Sequence, residues 1–223
     1  MTITYVGANA ANGTSVTIPL GHQAGDLIVM LVYRNGSTGA PTPPNDWLYC
    51  DSGSGTTNWL GIYWLEASSA SMTSGTWTNA TQLVAAVYRP DTDKRLVLTR
   101  AAATGGTAGS GGNITYTGLA QMATPTDAWV IGGVGHRSVD TDCQVAPTGM
   151  TNRVSLAGGS AGEIALHDSN GTDVDWPSTT YTLTAGTSSG FRTIVAQMAE
   201  MAIAASGSGG GTRIHPLLGS LVS

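Results

Sequence analysis

An all-β sandwich is the fold class that the sequence predicts, on three observations. Only 10 % of the 223 residues are charged, against about 25 % in an ordinary soluble domain. Gly, Thr and Ser are abundant; Thr, Val, Ile, Tyr and Trp suit half-buried pleated surfaces, whereas Gly and Asn punctuate turns. Short apolar runs bounded by turn residues recur in a similar order in the two halves of the chain. The expected architecture is an antiparallel, jelly-roll-like β-sandwich of two diverged repeats, residues 25–90 and 126–201, with an extended C-terminal arm. Residues 1–206 form the sandwich domain in this reading, 207–211 a Gly linker and 212–223 a docking peptide. A chain of this length buries roughly 70 % of its unfolded surface, so neither metal nor disulfide is required for stability.

Taken in order, "GDLIVMLVYRNGS" (25–37) is a continuous apolar run that ends at a turn, the pattern of a strand covered on both faces. "TDAWVIGGVGHRS" (126–138) has the same layout of Asp, apolar run, Arg and Ser. "APTPPNDW" (40–47) is echoed by "VAPTGMTN" (145–152), and "NWLGIYWLEAS" (58–68) by "AGEIALHDS" (161–169). "TWTNATQLVAAVYRP" (76–90) is echoed by "YTLTAGTSSGFRTIVAQM" (181–198). Each half thus reads as strand, Pro-rich turn, strand, turn and a final pair of strands. Two such four-stranded units pack as sheets face to face, or interleaved. Between them, residues 99–118 read as a Gly/Ala/Thr stretch followed by a strand. "IVAQMAEMAIAA" (194–205) contains good helix formers, but its correspondence to "LVAAVYR" assigns it to a strand. In "WLGIYWL" (59–65), Trp59, Gly61 and Tyr63 point one way and Leu60, Ile62 and Trp64 the other. Both faces are apolar, so the face turned away from the core needs a cover from the second repeat, a loop or a neighbouring subunit.

The pattern "AGDLIVMLVYRNGS…PTPPNDW…LGIYWLEAS…TW…LVAAVYRP", followed by a weaker second round, resembles a family of small virion proteins of tailed bacteriophages of the tail-fibre or tail-tip type. The resemblance covers roughly residues 15–200, with Gly25-Asp26-Leu27 and Val87-Tyr88-Arg89 its most specific parts. It implies a β-sandwich in a virion, synthesised in the host cytoplasm, and a non-enzymatic structural role. Its partners would be other virion subunits, copies of itself and a host surface glycan or protein. It carries over no active site and no cofactor.

Composition excludes several other classes. The net charge is −5, and scattered cations do not form the basic stripe that neutralises phosphates, so no nucleic-acid partner is expected. No apolar run approaches the roughly 20 residues of a membrane-spanning helix. The start "MTITYVGANAANG" has neither the basic nor the apolar segment of a signal peptide. Cys50 and Cys143 are too few for a disulfide framework and read as buried small hydrophobes. Asn12, Asn35, Asn79, Asn113 and Asn170 open Asn-x-Ser/Thr triplets, but Asn12, Asn35 and Asn170 precede Gly, the turn signal of hairpins.

Catalytic and metal patterns are sparse. Gly186-Thr-Ser188-Ser-Gly190 matches the nucleophile-elbow spacing, but it falls between strands and reads as a hairpin loop. His136 and His167 share the second repeat and read as solvent-facing residues at strand ends, with a metal or acid–base pair as the sharper alternative. Asp168, Asn170, Asp173 and Asp175 in "HDSNGTDVDW" offer the hard oxygens that Ca²⁺ accepts, although the loop lacks the EF-hand spacing. Glu66 and Glu163 fall at matching places of the two repeats and read as structural. Most of the tryptophans belong to the core; Trp47 and Trp176, beside Pro-rich and acidic loops, are the candidates for exposed sugar-stacking platforms.

The tail "GSGGGTRIHPLLGSLVS" joins a flexible linker to an apolar peptide. Ile214, Leu217, Leu218 and Leu221, with Arg213 and His215 for polar contacts, suit docking into a groove or onto a sheet edge of another chain. Covering an edge of its own sandwich is the alternative. Three functional classes follow: a tail-fibre or tail-tip component, a capsid decoration protein of the same fold, and a carbohydrate-binding lectin or glycan-active enzyme.

Overall fold

The structure, a computed structural model, describes residues 3–119, 128–139, 142–171 and 176–203. The chain forms strands β1 (Thr4–Asn12), β2 (Leu27–Asn35), β3 (Leu48–Ser54), β4 (Asn58–Glu66), β5 (Gln82–Arg89), β6 (Lys94–Ala108), β7 (Asn113–Tyr116), β8 (Ala128–His136), β9 (Thr151–Ala157), β10 (Glu163–Asp168), β11 (Thr179–Thr182) and β12 (Ser189–Ala202). They assemble into two five-stranded antiparallel sheets, β1-β5-β2-β4-β3 and β6-β12-β8-β10-β9, with β7 and β11 as a separate two-stranded ribbon. The fold is a β-sandwich. Residues 194–202 lie in β12 and not in a helix.

Each sheet comes from one contiguous half of the chain, so the interleaving of a jelly roll does not form. The strand order of the second sheet matches that of the first position for position once the β7–β11 ribbon is set aside. Facing pairs follow the same exchange: β1 lies against β9 as β6 lies against β3, and β5 against β10 as β12 against β4. Each sheet has five strands and not four. β1 (TYVGANAAN) and β3 (LYCDSGS) contain Gly, Asn, Asp and Ser that mimic turns in sequence, yet edge positions tolerate them because only one side of the ladder must pair. The 99–108 stretch is likewise strand, the second part of the long edge strand β6. The expected final pairs of strands are not built as such: residues 76–81 belong to a loop, and β11 joins the ribbon.

Three apolar clusters explain the burial of both faces of the central strands. The inner one lies between the sheets and includes Leu27, Val29, Leu31 and Tyr33 of β2 and Ile131 of β8. A second covers the outer face of the first sheet, where Val16, Ile18, Trp47 and Trp77 from the loops pack on Ile28, Met30, Trp59 and Tyr63. A third covers the second sheet, with Ile114 and Tyr116 of the ribbon over Val130, Val134 and Val195. The cover that the two-faced β4 strand demands is therefore made of loops. β2 crosses β8 at close range because Gly133 and Gly135 leave room there. A Cβ on Gly133 would lie 2.6 Å from Leu31 Cδ1, and one on Gly135 would overlap the Tyr33 ring.

One buried polar cluster joins the sheets. The Asp168 carboxylate of β10 is fully buried. Its Oδ2 accepts from Arg153 Nε of β9 at 2.7 Å and from the Tyr88 hydroxyl of β5 at 3.0 Å. The Arg153 guanidinium lies 4.2 Å from the centre of the Tyr5 ring of β1, and Tyr88 meets Trp129 of β8 edge-on at 6.0 Å. Burial opposes the charge on Arg153, but hydrogen bonding and attraction from Asp168 outweigh it and hold the guanidinium above its ordinary pKa. Burial first, then Asp168, raises the Tyr88 phenol well above its usual value, so it stays a neutral donor. At the other end of β5, the buried Gln82 donates through Nε2 to Asn12 Oδ1 and Gly162 O, both at 3.1 Å, again linking the halves.

Two outcomes follow for denaturant unfolding. Arg153→Met strands a buried carboxylate and is expected to cost about 3–5 kcal/mol, whereas Arg153→Met with Asp168→Leu recovers much of that loss. Gly135→Ala forces a methyl into the Tyr33 ring and is expected to cost about 1–3 kcal/mol with the m-value unchanged.

Candidate functional site

A groove opens on the outer face of the first sheet, between the 13–26 crossover and the 67–81 loop. Its volume is about 580 Å³, and Val16, Ile18, Leu20, His22, Met72 and Thr76 line it. The loops lie there because β1 and β2 are separated by β5 in the sheet, so the connection must cross over its face. Asp26 fixes the end of that crossover. It is 1 % exposed and binds Arg89 through both oxygens, at 2.8 Å to Nε and to Nη2. Thus the two most specific sequence motifs, Gly25-Asp26-Leu27 and Val87-Tyr88-Arg89, meet in space. Asp26 Oδ2 also accepts from Gln23 N at 2.9 Å, and Arg89 Nη2 donates to Gly21 O at 2.8 Å.

His22 stitches the two groove walls together. Met72 N donates to its Nε2 at 3.1 Å, so the proton sits on Nδ1, which donates to Pro19 O at 2.8 Å. Both ring nitrogens are committed, which removes His22 as a general base in this state. The rest of the lining is apolar or hydroxylated, with Ser15, Thr17, Ser71 and Thr73 and no charged side chain. Such a groove can take an uncharged polar or apolar segment by hydrogen bonding and contact; it supplies no acid–base pair.

The calcium reading fails at its first two ligands. Arg153 occupies the place of a cation, binding Asp168 Oδ2 at 2.7 Å and Asn170 Oδ1 at 2.5 Å, while Asn170 N donates to Asp168 Oδ1 at 3.0 Å. Asp173 and Asp175 lie outside the described residues. Among the described residues no group of three His, Cys, Asp or Glu is placed to share a metal ion.

Trp47 and Trp176 are not exposed platforms; they are 9 % and 4 % exposed. Trp47 packs on Trp77 at 5.6 Å in the outer cluster of the first sheet. Trp176 belongs to the outer cluster of the second sheet, where its backbone bridges to Leu119. Both indole side chains pack down on their own sheet, which sequence spacing does not disclose. The partner-docking residues Arg213, Ile214, His215, Leu217, Leu218 and Leu221 lie outside the described residues.

His136 and His167 also depart from expectation, because both are buried in the outer layer of the second sheet and not solvent-facing. His136 accepts from Ser138 N at Nδ1 and donates from Nε2 to Ala108 O, each at 3.0 Å. Glu163 pairs with His136 in the β10–β8 ladder and accepts from the Cys143 thiol at 3.0 Å. Glu66 instead ends β4 opposite Leu27 and is exposed, so the two glutamates are not at equivalent places. Cys50 and Cys143 are not joined by a disulfide; burial pushes the Cys50 thiol up to about 12. Ser188 sits in the β11–β12 connection, between two strands as expected, but β11 pairs with β7 and β12 with β6 and β8, so the connection is not a hairpin. Asn12-Gly13 and Asn35-Gly36 end β1 and β2 with glycines at φ +106° and +78°, turns as expected.

His167 has a testable electrostatic consequence. Its ring lies 6.2 Å from Tyr116, neither nitrogen has a hydrogen-bond partner, and burial lowers its pKa to about 3. The unfolded chain binds this proton near pH 6.5, so between pH 6.5 and 3 the unfolded state carries more protons than the native one. Stability due to His167 is therefore complete above pH 6.5 and falls by about 1.4 kcal/mol per pH unit below it. His167→Leu is expected to flatten the pH dependence of unfolding free energy in that window relative to wild type.

Comparison with protein-family models, with curated proteins and with solved structures finds no match.

Proposed function

We propose that this chain is a non-enzymatic structural protein of a tailed-bacteriophage virion, a tail-fibre or tail-tip component that acts through contacts with other chains. The observation that carries this reading is the placement of exposed apolar side chains on the first sheet. Leu48 and Tyr49, 48 % and 57 % exposed, lie on β3, an edge strand paired only with β4. Leu20, 90 % exposed, stands at the rim of the uncharged groove. An apolar edge strand is a template for another chain, and exposed apolar groups beside a groove suit a protein surface. Charge is meanwhile spent inside, in the Asp26–Arg89, Lys94–Glu200 and Arg153–Asp168 pairs. The lectin reading loses its two aromatic platforms to the core. The capsid-decoration reading uses the same surfaces and differs in position within the particle. Equivalent strand order in the two sheets supports descent of both halves from one duplicated unit. The arm at 212–223 is proposed from its sequence as the segment that docks on a neighbouring copy.

Light scattering of the full chain, of a form ending at Ser206 and of Leu48→Glu/Tyr49→Ser tests the proposal. A defined oligomer is expected from the full chain, with dissociation in the altered forms. The exposed β3 changes should shift stability by no more than about 0.5 kcal/mol. A monomer for the full chain at every concentration contradicts self-assembly, and labelling of intact particles distinguishes tail from head.

A further inference from the structure

The two walls of the groove on the first sheet are tied to each other at three points. Val16 N donates to Ser74 Oγ at 3.0 Å, Trp77 N to Thr14 O at 2.7 Å and Met72 N to His22 Nε2 at 3.1 Å. Each bond joins the 13–26 crossover to the 67–81 loop, so the shape of the cleft does not depend on a guest. A preorganised cleft spares a binding partner much of the ordering penalty of association. The volume of about 580 Å³ falls within the roughly 300–1,000 Å³ of ordinary ligand clefts.

The lining selects the kind of guest. Val16, Ile18 and Leu20 are apolar, Thr17 and Thr73 offer hydroxyls, and no Asp, Glu, Lys or Arg takes part. A charged guest would lose hydration there with nothing to replace it. An uncharged peptide with apolar side chains fits this chemistry, and its backbone groups can pair with the hydroxyls. Segment 214–222, "IHPLLGSLV", has that composition: Ile214, Leu217, Leu218, Leu221 and Val222 are apolar, and His215 is the only ionisable side chain. Pro216 biases His215 towards an extended backbone, whose N–H and C=O groups are open to such pairing.

The arm also departs from the sandwich within reach of this groove. Ile203 N donates to Asp93 O at 3.1 Å. From Asp93 the chain runs back to Arg89 over at most ~14 Å, and Arg89 Nη2 donates to Gly21 O at 2.8 Å. Gly21 stands between Leu20 and His22, both of which line the groove. Residues 204–213 are mostly Gly, Ser and Ala, and a linker of that length and composition spans about 16–19 Å. Segment 214–222 can therefore reach the groove of its own copy. It can equally reach that of a neighbour, because an identical element exchanges between copies at low cost.

Resting on the reading of 212–223 as a docking arm, we infer that its segment 214–222 seats in the groove between the crossover and the 67–81 loop. The leucines cover Val16, Ile18 and Leu20, and the hydroxyls of Thr17 and Thr73 pair with the backbone of the segment.

Photo-cross-linking of the full chain with Ser220→benzoylphenylalanine, which spares the apolar anchors, tests the seat. Peptide mapping is expected to place the cross-links in residues 15–22 and 70–76. Leu20→Asp with Thr73→Asp alters two exposed residues and is nearly neutral for folding. It is expected to lower the yield about tenfold, because the segment would then cover a charge. Leu217→Asp with Leu218→Asp should do the same from the side of the arm. Cross-links confined to β3 or scattered over the surface, no cross-link at all, or an unchanged yield in both Asp variants overturns the seat. The mass of the product separates that failure from failure of the assembly reading. Groove cross-links between two copies support both; groove cross-links within one copy support the seat and contradict docking on a neighbour.

Discussion

Strands β2 and β8 bury both of their faces, and the rest of the architecture answers to that constraint. A strand of this kind at the centre of an antiparallel sheet must be covered twice, once by the facing sheet and once from outside. The facing cover is close: Leu31 and Tyr33 of β2 rest on the glycine backbone of β8. The outer cover follows from topology. Because β1 and β2 are not neighbours, nor β2 and β3, nor β4 and β5, their connections run over the sheet and bring Val16, Ile18, Trp47 and Trp77 down onto it. In the second half, the β7–β11 ribbon takes that role. Loops that would otherwise be free to carry function are thereby recruited as core.

The same constraint decides where polar chemistry can exist. With sheet faces closed, buried carboxylates such as Asp26 and Asp168 enter the interior as neutralised sets, since a lone buried charge is strongly unfavourable. Asp168 with Arg153 and Tyr88 is such a set, spanning β5, β9 and β10. Asp26 with Arg89 anchors a crossover in the same way. The surface offers, besides exposed polar and charged residues, an uncharged groove and an apolar edge. The proposed assembly role rests on these surfaces, which offer shape, backbone pairing and apolar contact.

Much of this was legible in the residues. The apolar runs of β2 and β8, the alternation along β4 and the Asn-Gly turns follow from local periodicity and turn chemistry, which act over a few residues. Edge strands β1 and β3 were not legible, because their small polar residues resemble loops until a neighbouring strand pairs with them. The candidate sites were misread for a related reason. Asp168 and Asn170 look like cation ligands in sequence, and their cation is Arg153, fifteen residues upstream of Asp168. Trp47 and Trp176 look exposed beside Pro-rich and acidic loops, and crossing loops bury them.

Composition and periodicity alone determined an all-β chain of two similarly ordered halves with central strands covered on both faces, since burial pattern is written at every second residue. Only the tertiary structure decided that each half closes its own sheet, that Asp26 meets Arg89, and that Arg153 stands as the cation between Asp168 and Asn170. Those facts depend on which strands become neighbours, and the contacts so formed reach across 63 positions in Asp26–Arg89 and 109 in Asp91–Glu200. No local pattern encodes contacts of that separation.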